Sequence, residues 1–339
     1  MNTFSESKSI WNENPTVYIF IRQTVFTIFT LFYPFVFYVI FFKSPKSFGA
    51  LKWFLLFHAF AITCQWLCSY ILINFYTFVP SKITRIDGIL VGIVDLEFMF
   101  ITMYFVYFLA TASCLLLFCN RIFSILNMYR GAKSVFRKIF EFVVYVGAFL
   151  FPSSVLYGFK VPDQSAVKAM TKQIAPYYPD CLDDFNVIVF ISPDPEKLKS
   201  GLIYYLINLL TIALASIISA QLAYYLLSKR MSNQSEKTKK MHHKFNRRTL
   251  FQVLIDTSFT SIPFSVSNLA TLFRWKVPIL TYFVDLMSKN NPTACIIILF
   301  LYYDPYQNWL LKQVKLLLWR KNRTSGRSQT TWAIKSADT

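Results

Sequence analysis

Charge is what this chain has least of: 15% of its 339 residues are Asp, Glu, Lys or Arg, against about 25% in a soluble globular domain. Water is therefore not its main solvent. Glycine is scarce as well, at 8 residues. There is no Gly-rich phosphate loop and no pair of Gly- or Pro-broken spans in repeated halves, which argues against a nucleotide enzyme and a repeat-built transporter. The six cysteines, Cys64, Cys68, Cys114, Cys119, Cys181 and Cys295, include no CxxC and no Cys/His pairing, so neither a zinc site nor a disulfide framework is expected. His242 and His243 are adjacent and lack the i, i+4 spacing of a helical metal pair. With no clustered His/Asp constellation and no HxxxxD, neither an enzyme nor a cofactor is expected. Residues 1–15 lack the basic start and apolar core of a cleavable signal peptide, which leaves the first span to act as the insertion signal.

Apolar residues are abundant: 55% of the chain is hydrophobic and 19% aromatic, with 36 phenylalanines. They fall in runs long enough to cross about 30 Å of hydrocarbon as helices. Seven such runs can be read, at residues 17–42, 50–78, 89–119, 139–157, 202–227, 245–273 and 278–303. The last must include the polar stretch Asp285, Ser288, Lys289, Asn290 and Asn291 to reach across. The expected fold is all-α, a seven-transmembrane helix bundle, with residues 1–16 outside and a basic tail, 304–339, in the cytosol. The outer loop 158–201 holds Pro162, Pro176, Pro179, Pro193 and Pro195, which favour extended or turn structure. It is either a cap on the outer mouth or a plain connection.

Orientation follows from the cations. Lys43, Lys46 and Lys52, then Arg121, Arg130, Lys133, Arg137 and Lys138, then the run from Lys229 to Arg248, and finally the tail all fall on one side, where acids are few. On the other side acids and bases nearly cancel, so almost all of the net charge of +18 is on the side assigned to the cytosol. Contact with anionic membrane lipid explains many of these cations. They flank spans and form no continuous patch, so no nucleic-acid partner is expected.

Ionisable residues inside spans are costly and mark candidate function. Here they are Arg22, His58, Asp95, Glu97, Asp256 and Lys289. Asp95 and Glu97 lie two residues apart, about 200° around a helix, so one of them at most faces the bundle. The expectation is that one pairs with Lys289 or Arg22 across an outer ligand cavity. The alternative is a structural ion pair or a side chain snorkelling to the interface. Pro263, seven residues after Asp256, is placed to kink the sixth span.

Several local strings, in order along the chain, resemble the nematode serpentine receptor class H family of rhodopsin-like seven-span chemoreceptors. Phe42-Lys43-Ser44-Pro45-Lys46-Ser47 follows the first span, with Leu51-Lys52-Trp53 and His58 after it. Phe118-Cys119-Asn120-Arg121 ends the third span. Val161-Pro162-Asp163-Gln164 and Tyr178-Pro179-Asp180-Cys181-Leu182 lie in the long loop. Ser235 to Phe245 precedes the sixth span, with Gln252 and Pro263 at matching offsets, and Asp304-Pro305-Tyr306-Gln307 closes the seventh. The departures are Cys119 where the family has an acid, Asp256 where it has Pro, and Gln307 where it has Arg.

The resemblance implies a receptor in the plasma membrane, in the cilia of chemosensory neurons. It would bind a small odorant or pheromone-like molecule and couple to a heterotrimeric G protein. It also implies coupling or switching roles for Asn120, Arg121, Lys239, Lys240, Pro263, Pro305 and Tyr306, although Arg121 also suits an ordinary cytoplasmic anchor. The outer part of the third span has no cysteine to receive a disulfide from Cys181, and Cys68 is the nearest outward candidate. A seven-span ligand-gated channel is the competing reading, and it would invert the charge placement. A transporter or other multi-pass protein is the next.

Overall fold

A computed structural model describes residues 9–12, 15–127, 135–157, 161–175, 177–230, 236, 250–303 and 305–316. Eleven α-helices occur among the described residues. They are α1 (Thr16–Thr30), α2 (Phe32–Lys43), α3 (Ala50–Leu67), α4 (Leu96–Asn127), α5 (Val135–Tyr157), α6 (Gln164–Ile174), α7 (Pro195–Arg230), α8 (250–256), α9 (Ile262–Leu272), α10 (Ile279–Tyr302) and α11 (305–316). Among the described residues α1 runs into α2 and α8 into α9 with short interruptions, which leaves seven long helical segments and the two shorter helices α6 and α11. Four segments are long and apolar enough to cross a membrane by length and composition alone, at 16–43, 50–72, 96–124 and 195–226.

The interruptions have local causes. Pro34 has no N–H to give the carbonyl of Thr30 and its ring crowds that carbonyl, so α1 and α2 part at Leu31. Residues 257–261 form a turn of π-helix directly ahead of Pro263, which sits in the first turn of α9. The wider turn makes room for the ring. A second π turn, Cys68–Leu72, ends the second segment.

The helix α4 is the hub, packed against α3, α5 and α7, while α10 rests on α3 and α9. In the most apolar window of α4, 72% of residues are buried, against 22% in that of the first segment. The first segment and α7 instead turn Val17, Phe20, Ile207, Leu214 and Ile218 outward. Apolar side chains facing out along a whole helix suit a lipid solvent, not water.

The second span was expected to stay helical to Phe78 and the third to begin at Ile89. The structure ends the second segment at Leu72 and starts α4 at Leu96. Between them β1 (Phe75–Phe78) and β2 (Ile83–Ile86) form an antiparallel hairpin, with Phe75 opposite Ile86 and Phe78 opposite Ile83. Phe75, Tyr76, Thr77, Phe78, Ile83 and Thr84 are aromatic or β-branched and favour strands. An apolar run by itself does not distinguish this from a helix end.

The Pro-rich loop is also more ordered than its prolines imply. Its helix α6 fits between Pro162 and Pro176, capped by Asp163, whose carboxylate accepts the Ser165 N–H. The strand β3 (Val187–Val189) pairs with β2 as the third strand. Gln164 clamps helix to sheet: its Oε1 accepts the Val189 N–H at 2.8 Å and its Nε2 donates to the Val189 carbonyl at 3.1 Å. Trp11 joins them by donating Nε1–H to the Val79 carbonyl. Phe78, Ile83, Val167, Leu182, Val187 and Val189 make the cap's own small core. Of the two readings left open for this loop, the geometry is that of a cap. Cys181 is buried in that core, and both it and Cys68 remain thiols.

Candidate functional site

Beneath the cap lies a narrow, partly open cavity of about 20 Å³, room for little more than one water molecule. The hairpin supplies Phe75, Thr77 and Lys82, α4 gives Tyr104, and α7 gives Tyr205. Phe264, Ser267 and Asn268 come from α9, and Thr281, Val284, Asp285 and Ser288 from α10. A deeper chamber of about 20 Å³ reaches down to Thr111 and Thr260. The two share Phe75, Tyr104, Tyr205 and Phe264, which form the partition between them. A vestibule of about 400 Å³ opens between α6 and the start of α7, and it shares Phe190 and Ile191 with the narrow cavity.

Lys82 sits at the end of the hairpin turn with φ of 57°, a left-handed conformation that costs a non-glycine residue about 1–2 kcal/mol. That conformation points its side chain inward, where it is 4% exposed and donates from Nζ to Ser267 Oγ. No described carboxylate pairs with it, and burial pushes its ammonium down to about 7. Asn268, next to Ser267 in the chain, is 4% exposed, and its Nδ2 has no hydrogen-bond partner among the described residues.

Asp285 and Lys289, one helical turn apart on α10, form a buried ion pair with Nζ to Oδ1 at 2.9 Å. Lys289 Nζ also donates to the Phe75 carbonyl at 2.7 Å and reaches Asn74 Oδ1 at 3.4 Å. This fastens α10 to the start of β1. The expected partnership was different. Asp95 is exposed and caps α4, its Oδ2 accepting the N–H groups of Glu97 and Phe98. Glu97 is exposed in the first turn. A carboxylate at a helix N-terminus is stabilised by the unpaired N–H groups there, so both acids are spent on starting α4 and neither lines the cavity. Arg22 lies against the Tyr18 ring, 5.7 Å from its centroid.

The sequence reading passed over Lys82, Ser267, Asn268, Thr281 and Asp285. One available signal was the four-residue spacing of Asp285 and Lys289, which puts the pair on one helix face. Lys82 had none, because its direction depends on a hairpin where a helix end was expected.

Deeper in the bundle, Asn291 on α10 donates to Asp256 Oδ1 at 3.2 Å, and His58 Nδ1 meets Ser113 Oγ at 2.8 Å. At the end opposite the cap, Tyr306 is fully buried. Its hydroxyl is 2.7 Å from Ser44 Oγ, and its ring lies among Phe48, Phe300 and Tyr303. Two separated strings of the family pattern, the one after the first span and the one closing the seventh, thus meet. Pro305 opens α11 beside it. Asn120 is buried near the end of α4, followed by Arg121 in the same helix. Lys239 and Lys240 lie outside the described residues.

A helical bundle with lipid-facing outer surfaces, a capped, mainly apolar cavity carrying a few polar groups at one end and a buried tyrosine contact at the other is the architecture of a seven-transmembrane receptor. The chain matches the family described as serpentine type 7TM GPCR chemoreceptor Srh over residues 13–316, and it belongs to that family. Among curated proteins, none matches it. It is a multi-pass membrane protein of the serpentine chemoreceptor type, as the strings from Phe42 to Gln307 implied.

Proposed function

We propose that the chain is a chemosensory receptor that binds a small odorant or pheromone-like molecule in the capped cavity and passes the event to a heterotrimeric G protein at the opposite end. The observation that carries this is the make-up of the cavity wall. Residues of the hairpin, α4, α7, α9 and α10 all line one narrow space. A ligand held there contacts every element whose relative position defines the packing of the bundle, and it shifts the equilibrium to the extent that it binds one packing more tightly.

In this reading the cap faces outward and the basic segments lie in the cytosol. The movable parts are the α8–α9 segment with its π turn ahead of Pro263, its Asp256 to Asn291 tie to α10, and the Ser44 to Tyr306 contact. Asn120 and Arg121, with Lys239 and Lys240, form the G-protein-facing end, and Pro305 sets the direction of α11. In this reading the receptor sits in the plasma membrane, in the cilia of chemosensory neurons, and membership of a serpentine chemoreceptor family supports that assignment.

Expression in cultured cells with an epitope at each end in turn, followed by second-messenger recording against volatile and soluble compounds, tests this. The expected result is N-terminal epitope accessible on intact cells, C-terminal epitope accessible only after permeabilisation, and a compound-dependent response that Arg121→Ala removes at equal surface amount. The opposite accessibility, or currents without any second-messenger change, refutes it.

A further inference from the structure

From the uncompensated charge of Lys82 and the unmatched amide donor of Asn268 in the cavity we infer that the ligand carries an acidic head, a carboxylate, bound between the Lys82 ammonium and the Asn268 amide, with an apolar body against Tyr104, Tyr205 and Phe264. This rests on the reading of the capped cavity as the ligand site and names the chemistry that the site selects.

The argument is one of charge and donors. The cavity lining holds one cation, Lys82, and one carboxylate, Asp285, and that carboxylate is paired at 2.9 Å to Lys289, which lies outside the lining. One positive charge is left over in a space walled by aromatic rings. Its hydrogen bond goes to a neutral hydroxyl, Ser267 Oγ. A buried cation without a counter-charge is expensive, and here it is held in place by a backbone conformation that is itself costly for lysine. Asn268 Nδ2 adds a second donor with no described acceptor, although buried polar groups usually find one. An incoming carboxylate has two acceptor oxygens, supplies the missing charge and takes both donors. A protonated amine would instead add to the surplus of positive charge.

The rest of the cavity describes the body of the ligand. Tyr104, Tyr205, Phe264 and Phe75 separate two chambers of about 20 Å³ each. Neither chamber alone holds more than a water-sized group, so the ligand enters by displacing these rings and joining the chambers into one apolar slot. The approach is from the vestibule, past Phe190 and Ile191. The bound state is therefore a more open packing than the one described, which is the requirement for a ligand to act as a switch.

The test uses the full-length receptor with straight-chain carboxylic acids from butanoic to decanoic acid, each matched with its alcohol and methyl ester. Thermal stabilisation of detergent-purified protein reads binding without requiring coupling, and second-messenger output in cells is recorded in parallel. The expected result is stabilisation by one or more acids and by none of the matched neutral compounds. Lys82→Met should weaken acid binding by about 10- to 100-fold, the range for a charge-assisted hydrogen bond, while Lys82→Arg retains most of it. Asn268→Ala should weaken it by about three- to tenfold, and this variant keeps the test decisive if Lys82→Met does not reach the surface. Equal stabilisation by alcohols or esters, undiminished acid binding in Lys82→Met or in Asn268→Ala, or no acid binding at all overturns the inference. Acid binding without second-messenger output leaves the inference standing and removes the receptor reading. Output evoked by neutral compounds alone does the reverse.

Discussion

The Asp285–Lys289 pair offers a double-mutant cycle whose outcome follows from burial. Both side chains are nearly inaccessible, at 2% and 0% exposed. Lys289→Met leaves the Asp285 carboxylate in the bundle without its counter-charge, and breaking a buried pair from one side costs about 3–5 kcal/mol. It also removes the donor to the Phe75 carbonyl, roughly another 0.5–1.5 kcal/mol. The sum of about 3.5–6.5 kcal/mol rivals the entire stability of many folded domains, so the single variant should be largely absent from the cell surface. Asp285→Asn is gentler, because Lys289 keeps its contacts with the Phe75 carbonyl and Asn74 Oδ1. The combined Asp285→Asn, Lys289→Met variant leaves no charge to desolvate and should recover about 3 kcal/mol or more over Lys289→Met alone. Surface fraction by antibody and thermal inactivation in detergent measure all four proteins. A Lys289→Met variant as stable as wild type, or no more unstable than the double variant, would show that the ammonium does not compensate the carboxylate.

Three other outcomes follow from single groups. Lys82, in the cap outside the spanning segments, has its ammonium lowered from 10.5 to about 7 by burial. The unfolded chain holds that proton over the interval between these values, so the stability of the cap should rise with pH from about 7 to 10. Over pH 6 to 8 the affinity for a carboxylate probe should instead fall about tenfold as the charge is lost. The groups around Lys82 are Ser267 on α9, Asp285 on α10, Tyr104 on α4 and Tyr205 on α7; a flat affinity profile in equilibrium binding would remove Lys82 from recognition. Gly88→Ala should abolish surface expression, because an added Cβ would meet backbone of the π turn at Leu72 and Ile73, some 2.2–2.6 Å away; normal expression would show that this turn yields. Tyr306→Phe removes the hydroxyl facing Ser44, worth about 0.5–1.5 kcal/mol, and should raise ligand-independent second-messenger output at equal surface amount if that contact holds the resting packing; unchanged basal output would make it structural.

What the sequence made legible was the part governed by solvent. Long apolar runs must be helices in lipid, because no other unclosed structure satisfies its backbone there, and the positions of most helical segments follow from that alone. The polar stretch from Asp285 to Asn291 belongs to α10 as the length argument required, with Asp285, Ser288, Lys289 and Asn291 all buried. The reading weakened where the chain leaves lipid. Residues 75–78 and 89–95 are mostly apolar and read as the ends of the second and third spans, yet they belong to a hairpin strand and an irregular approach to α4, since outside the hydrocarbon an apolar strand and an apolar helix look alike in composition. Asp95 and Glu97 were misplaced for the same reason. Counted as intramembrane charges they suggested ligand contacts, but they are the acidic start of a helix.

The cap explains why the candidate site was the least legible part. Its position depends on three pieces remote in sequence: the segment around Trp11, the hairpin, and the strand β3 at the far end of the long loop. None of them has a side-chain pattern that announces the other two. Yet their association decides that Lys82, which a linear reading assigns to a solvated outer loop, is turned into the bundle beside Ser267. A charge that lipid exclusion alone would have kept outside is thus brought in by β-pairing in the cap. On the proposed reading, composition specifies the helices and the cap specifies the ligand chemistry. Substitutions at the Val189 to Gln164 clamp should alter ligand preference while leaving the helical bundle intact, as read by binding of matched acids and alcohols at equal surface amount. Loss of surface protein in a Gln164→Ala variant would instead show that the cap is needed for the bundle itself.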